Sequence, residues 1–170
     1  MKGAFAVKPK KDVVFYNILF PVWMMIFIPS LLWLLLFPAN YLIDHLVVYL
    51  SNPDFPKRGE FCKKNVWKIC LAGFGCDFAG ALVLFIFGSS SKIKWLEAIA
   101  DGINSNPFQN TGSFAFVLTA VLISAVLIYI ADRSILENAG FDHERAARTA
   151  RNLAVFTAPY LFFLPADLIY

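Results

Sequence analysis

The sequence predicts an all-α fold, a polytopic integral membrane helical bundle of about five membrane segments, several of them kinked by proline. Three observations predict it. Of 170 residues, 59% are hydrophobic and only 16% are charged, whereas a soluble domain carries about a quarter charged residues. Residues 13–43 hold no formal charge; Asp44 is the first. The lysines and arginines concentrate instead in short segments between apolar stretches, the signature of cytoplasmic loops.

Residues 13–50 organise the rest. As one helix they would be roughly 57 Å long, about twice the hydrocarbon thickness of a bilayer. They also carry Pro21, Pro29 and Pro38, which no uninterrupted helix accommodates. The run is therefore read as two crossings, 13–28 and 31–50, turning at Pro29 and Ser30 with Pro38 as a kink. A turn at Pro38 would leave about 12 residues for the second crossing, too few to span. Lys8, Lys10 and Lys11 precede the pair; Lys57, Arg58, Lys63 and Lys64 follow it. Basic flanks on both sides place both in the cytoplasm, and the N-terminus with them. The basic start is not a signal peptide, because the apolar run is too long and no small-residue cleavage site ends it.

Residues 51–65, SNPDFPKRGEFCKKN, read as a cytoplasmic loop with two prolines and mixed charge. The third crossing is 66–88, with Lys68 placed to reach the inner headgroups. Over 92–103, Ile93, Leu96, Ile99, Ala100 and Ile103 share one face, which predicts an amphipathic surface helix with Trp95 at headgroup level. The fourth crossing, 113–136, stops near Asn138 and Gly140, both suited to a C-terminal cap. Asp142 is placed to cap the next helix. The fifth segment, 152–170, is broken by Pro159 and Pro165; it ends outside or turns back as a re-entrant segment. All of 1–170 forms one transmembrane domain. Short loops and the lack of eukaryotic processing signals suggest a prokaryotic cytoplasmic membrane.

Composition excludes some functions. A net charge of +3 is too small for nucleic-acid binding. Cys62, Cys70 and Cys76 make no CxxC pattern and read as reduced, buried thiols. No HExxH, Walker A or paired-histidine metal motif occurs, and no metal or cofactor is expected. Gly73-Phe74-Gly75-Cys76-Asp77 has one residue too many for the GxGD of intramembrane aspartyl proteases. Asp142-His143-Glu144 would serve a lipid-acting enzyme at the cytoplasmic face, but as a helix start it reads as a cap with first-turn acids.

Polar groups at membrane depth remain. Asp77 lies near the middle of the third crossing, where a lipid-exposed carboxylate costs at least a few kcal/mol. Two small-residue ridges flank it, Ala72/Cys76/Gly80 and Gly73/Asp77/Ala81, and admit a second helix at close range. Asp44 and His45 lie near the inner end of the second crossing, at a depth where Asn17 of the first crossing reaches them. Adjacent helical residues point about 100° apart, so Asp44 and His45 face different surroundings. Leu-Phe-Pro-Ala-Asn at 36–40 is echoed by Phe-Leu-Pro-Ala-Asp at 163–167, which adds Asp167 as a weaker candidate. Arg145, Arg148 and Arg151 occupy one arc of a helix and suit lipid headgroups or phosphate, although they equally satisfy the topology rule. The leading expectation is transport of an ion or small polar solute using Asp77 and Asp44. The alternatives are an accessory subunit docking through the small-residue face, and the lipid-acting enzyme. A 170-residue chain has little room to enclose a path alone. Expected partners are therefore membrane lipids and either further copies of the chain or a larger membrane complex.

Overall fold

The computed structural model describes residues 23–24, 33–89 and 94–168. Those residues form five α-helices and short 3-10 turns: α1 Trp33–Ser51, α2 Arg58–Gly88, α3 Lys94–Asn104, α4 Thr111–Asn138 and α5 His143–Phe156. Three of them, α1, α2 and α4, are long and apolar enough to cross a membrane. Of the five expected segments, three thus have that length and character among the described residues. The first expected crossing, 13–28, lies outside them except for Trp23 and Met24, as does the hairpin turn at Pro29.

The helix α1 follows the second expected crossing closely and stays helical through Pro38. Its buried positions are Asp44 and Val48, while Leu34, Leu35, Leu42, Leu46 and Leu50 are exposed, an apolar surface that suits lipid better than water. Just beyond its end, Asn52 is 2% exposed. Its Nδ2 donates to the Val48 carbonyl at 2.8 Å and to Thr149 Oγ1 at 3.1 Å, tying α1 to α5. Replacing Asn52 with Ala leaves both acceptors dry, so we expect a loss of about 1–3 kcal/mol in stability. Thermal unfolding in detergent measures this; an unshifted midpoint would show that the two acceptors find other donors.

α2 starts at Arg58, eight residues earlier than its sequence signal. The apparent loop is half helix because Cys62, Asn65, Val66 and Ile69 fall on one buried face, while Lys63, Lys64 and Lys68 stay outside. Helical periodicity there outweighs the charge and the glycine that suggested a loop. Lys57 precedes it with φ 57°, the left-handed turn that lets the chain leave Pro56 and enter the helix.

α3 follows the expected amphipathic stretch 92–103 and extends one residue beyond it: Leu96, Ala100 and Ile103 are buried and Trp95 is 65% exposed. It is pinned to its neighbours by polar links. Asn104 Nδ2 donates to the Gly88 carbonyl, Ser113 Oγ to the Ile99 carbonyl, and Asn110 Nδ2 to the Ala98 carbonyl. Asn110 also caps α4, accepting from the Ser113 N–H at 2.8 Å.

α4 ends as expected. Gly140 takes φ 101°, the Phe141 N–H returns to the Leu136 carbonyl and the Gly140 N–H to that of Glu137, which together form a Schellman stop. Asp142 then caps α5, accepting from the Arg145 N–H at 2.9 Å. That bond holds its carboxyl below the ordinary carboxylate range. The native value lies below the unfolded one, so the cap stabilises at neutral pH and fades as pH falls through that lowered value.

α5 closes at Phe156, so no single helix covers the fifth expected segment, 152–170, among the described residues. Pro159 and Pro165 remove backbone donors, and the chain continues as 3-10 turns at Tyr160–Phe163 and Ala166–Leu168. The segment nevertheless runs the length of the bundle. At one end Thr149 bonds Asn52 beside the α1–α2 turn; at the other, the Ala166 N–H donates to the Ser105 carbonyl at 2.8 Å.

α2 and α4 form the antiparallel central pair, α5 lies along α4, and α1 packs on α2 and α5. Two apolar clusters divide the interior. One, at the α3 end, joins Trp23, Ala81, Leu84, Val117, Val121 and Phe162. The other, at the α1–α2 turn, joins Val48, Val66, Ile69, Leu136, Phe141 and Leu153.

Candidate functional site: three buried aspartates

Between those two clusters the bundle holds three acids, one from each membrane-length helix: Asp44 on α1, Asp77 on α2 and Asp132 on α4. They are 5%, 6% and 1% exposed. Asp44 follows from its place one turn before Val48 on the sole buried stripe of α1. Asp77 lies one turn before Ala81 and Asp132 one turn before Leu136, so each sits on the inward stripe of its helix.

The arrangement has two tiers. In the lower one the Asp44 carboxyl lies beside the Cys70 thiol, and Asp132 lies within electrostatic range of both. Asp77 is seven residues beyond Cys70 on nearly the same face of α2, about 10.5 Å along the axis. It remains within electrostatic range of Asp44. Cys76, next to Asp77 in the chain and within electrostatic range of Asp132, packs on Ile128 and Ala154.

None of the three acids is paired with a cation among the described residues; the ion pairs there are all at the basic end, on Arg133, His143 and Arg145. One oxygen each of Asp77 and Asp132 is buried with no hydrogen-bond partner. An isolated carboxylate in such surroundings is strongly disfavoured, and charge on Asp44 would act on both Asp77 and Asp132. The site therefore suits protons held on carboxyls. Among the described residues no three His, Cys, Asp or Glu side chains are gathered as a metal-binding set.

Close packing beside Asp77 comes from Gly80. A Cβ there would collide with Ser124 Oγ, and would lie 3.0 Å from the Ala120 carbonyl oxygen and 3.3 Å from Phe162 Cε2. Ser124 Oγ in turn donates to the Cys76 carbonyl at 3.1 Å. The Cys76/Gly80 ridge is thus filled by α4 of the same chain. A Cβ at Gly73 or Gly75, by contrast, would meet nothing within 4 Å.

Other candidates fall elsewhere. His45 is partly buried and its ring lies 6.0 Å from that of Tyr41, tilted, on a different face from Asp44. Asn17 and the side chain of Asp167 lie outside the described residues. Of the arginines, Arg145 pairs with Asp142 at 3.3 Å and stacks 5.2 Å over the Phe55 ring, and Arg148 donates to the Ser51 carbonyl. Those two hold the loop against α5, and with Arg151 they line a shallow cleft of about 400 Å³. His143 lies 2.9 Å from Glu137 and its side chain is 77% exposed.

Asp132 was missed in the sequence because it adjoins Arg133 near the end of an apolar run, where a charge reads as the membrane boundary. The signal that could have found it is the four-residue spacing Val117, Val121, Ser124/Ala125, Ile128, Asp132, Leu136, which continues the buried stripe through the acid. Compared with known protein families, curated proteins and solved structures, the chain matches none.

Proposed function

We propose that this protein is a membrane transport protein that moves protons, alone or with a solute, by way of Asp44, Asp132 and Asp77. The observation that carries the reading is the convergence of three unpaired, buried acids from three membrane-length helices. Intramembrane carboxyls in that setting belong to proton and ion pathways, because otherwise their desolvation is an uncompensated cost.

The proton is the cargo that fits best. Lys57, Arg58, Lys63, Lys64, Arg133, Arg145, Arg148 and Arg151 all lie at the α1–α2 turn end; a buried carboxyl can take up a proton as a neutral group, whereas a metal ion would bring its charge with it. By the same bias that end is cytoplasmic, with α3 on the outer surface and the N-terminus inside. A proton entering from the cytoplasm meets Asp44 and Asp132 first and passes upward to Asp77, with water bridging the gap of about 10.5 Å between tiers. The Trp23/Leu84/Phe162 cluster then closes the outer side, giving an occluded arrangement. The broken segment 157–166 is the element poised to open it, since its 3-10 turns lack a continuous helical ladder. Assembly into a homo-oligomer or larger complex supplies any remaining wall of the path.

The small-residue face offers less support for an accessory subunit, because its Gly80 half is already used within the chain. The test is reconstitution of the full chain into liposomes with a pH-sensitive dye inside. An imposed pH gradient should collapse faster than in protein-free vesicles once a potential-clamping ionophore is present. Equal rates with and without protein, for proton, sodium and potassium gradients and across a panel of solutes, would overturn the reading.

A further inference from the structure

A second site lies outside the bundle core, on the flank of α2 and α4 away from α1. A cleft of about 690 Å³ is lined there by Lys57, Lys64 and Lys68, with Phe61, Ile135 and Asn138 among its walls. Glu60 is the one acid lining it, so cations exceed anions by two. None of the three lysines forms an ion pair among the described residues. The cleft therefore concentrates positive charge that the fold itself does not use.

Its depth in the membrane is marked by Trp67, 48% exposed, whose indole N–H donates to the Lys64 carbonyl and whose ring lies 5.9 Å from Lys68 Nζ. Exposed Trp beside Lys at the start of an apolar stretch is the pattern of the headgroup region. From Lys68 onward, the same stripe of α2 continues as Ala72, Gly75 and Ala79. At 100° per residue, Lys64, Lys68, Ala72, Gly75 and Ala79 fall within an arc of about 80°. Beyond the basic cleft α2 thus presents a stripe of small residues, and at Gly75 nothing stands within 4 Å of a Cβ position.

The geometry points to a binding site for one anionic phospholipid, its phosphate held by Lys57, Lys64 and Lys68 and an acyl chain lying along Ala72, Gly75 and Ala79. Charge selects the headgroup, and the open small-residue stripe accommodates a tail that a soluble phosphate lacks. The arginine cleft on α5 has two of its guanidinium groups engaged. The proposal is independent of proton transport: it needs none of the three aspartates.

The test uses the full-length protein in detergent, with retained lipid measured by native mass spectrometry against added phosphatidylglycerol and phosphatidylcholine. Wild type should retain phosphatidylglycerol preferentially, and Lys64→Gln and Lys68→Gln should each lower that preference about fivefold. Gly75→Leu should weaken phosphatidylglycerol retention with all lysines intact. Glycerol 3-phosphate in equal amount should not displace the lipid. Equal retention of the two lipids would overturn the assignment. So would loss of the preference in Arg148→Gln/Arg151→Gln but not in the lysine variants. Displacement by glycerol 3-phosphate would reassign the cleft to soluble phosphates and also overturn it.

Discussion

Asp77→Asn should abolish proton flux in liposomes, lowering it on the order of 100-fold, while leaving folding and insertion intact. Asn matches the shape of a protonated carboxyl but cannot release a proton, so the upper tier is lost with the packing preserved. Removing a positioned proton-transfer group typically costs a factor of that order or more. Asp77→Glu keeps the titrating group and should restore measurable flux. Asp132→Asn, at the most buried of the three acids, should behave like Asp77→Asn, because both tiers are needed in series. Dye-monitored flux at matched protein-to-lipid ratios makes the comparison. Wild-type rates in both Asn variants would remove the aspartates from the path and with them the proposed function.

Gly80→Ala should destabilise the protein, against the usual sign of a glycine replacement in a helix. Elsewhere in a helix the change gains about 1 kcal/mol from backbone entropy and propensity. Gly73 shows that ordinary case, since nothing stands within 4 Å of its Cβ position. At Gly80 the new methyl meets Ser124 Oγ and the Ala120 carbonyl. Backbone cannot retreat without separating α2 from α4, so overpacking of about 1–3 kcal/mol dominates. Gly80→Leu should exceed that range, and its thermal midpoint should fall by several degrees more. Combining Gly80→Ala with Ser124→Ala removes the colliding oxygen and should recover part of the loss. If Gly73→Ala and Gly80→Ala shift the midpoint equally, the close approach of the two helices is wrong.

These two outcomes separate chemistry from packing at neighbouring positions on one helix. A silent Asp77→Asn together with a disruptive Gly80→Ala would leave the ridge purely structural. The reverse pair would mean that the acid matters and the crossing is looser than described.

The all-helical class, the long apolar helices α1 and α4, the amphipathic helix α3 and both caps around residue 140 could be read from the chain itself. Each rests on local physics: uninterrupted apolar length, 3.6-residue periodicity, or a glycine and an aspartate at helix ends. The small-residue ridge around Asp77 was legible for the same reason, as spacing on one helix. The start of α2 at Arg58 was not, because a charged, glycine-containing stretch becomes helical there only through the buried partners of Cys62 and Val66. Nor could the sequence decide which acids meet. Asp44, Asp77 and Asp132 lie 33 and 55 residues apart along the chain, and no periodicity connects separate helices. Only the antiparallel packing of α2 on α4, with α1 against α2, brings them between the two apolar clusters, and the same packing turns Gly80 inward while leaving Gly75 on an open flank. Local composition determines where helices form; which faces they present to one another depends on side-chain fit between segments distant in sequence, and that is what placed the acids together.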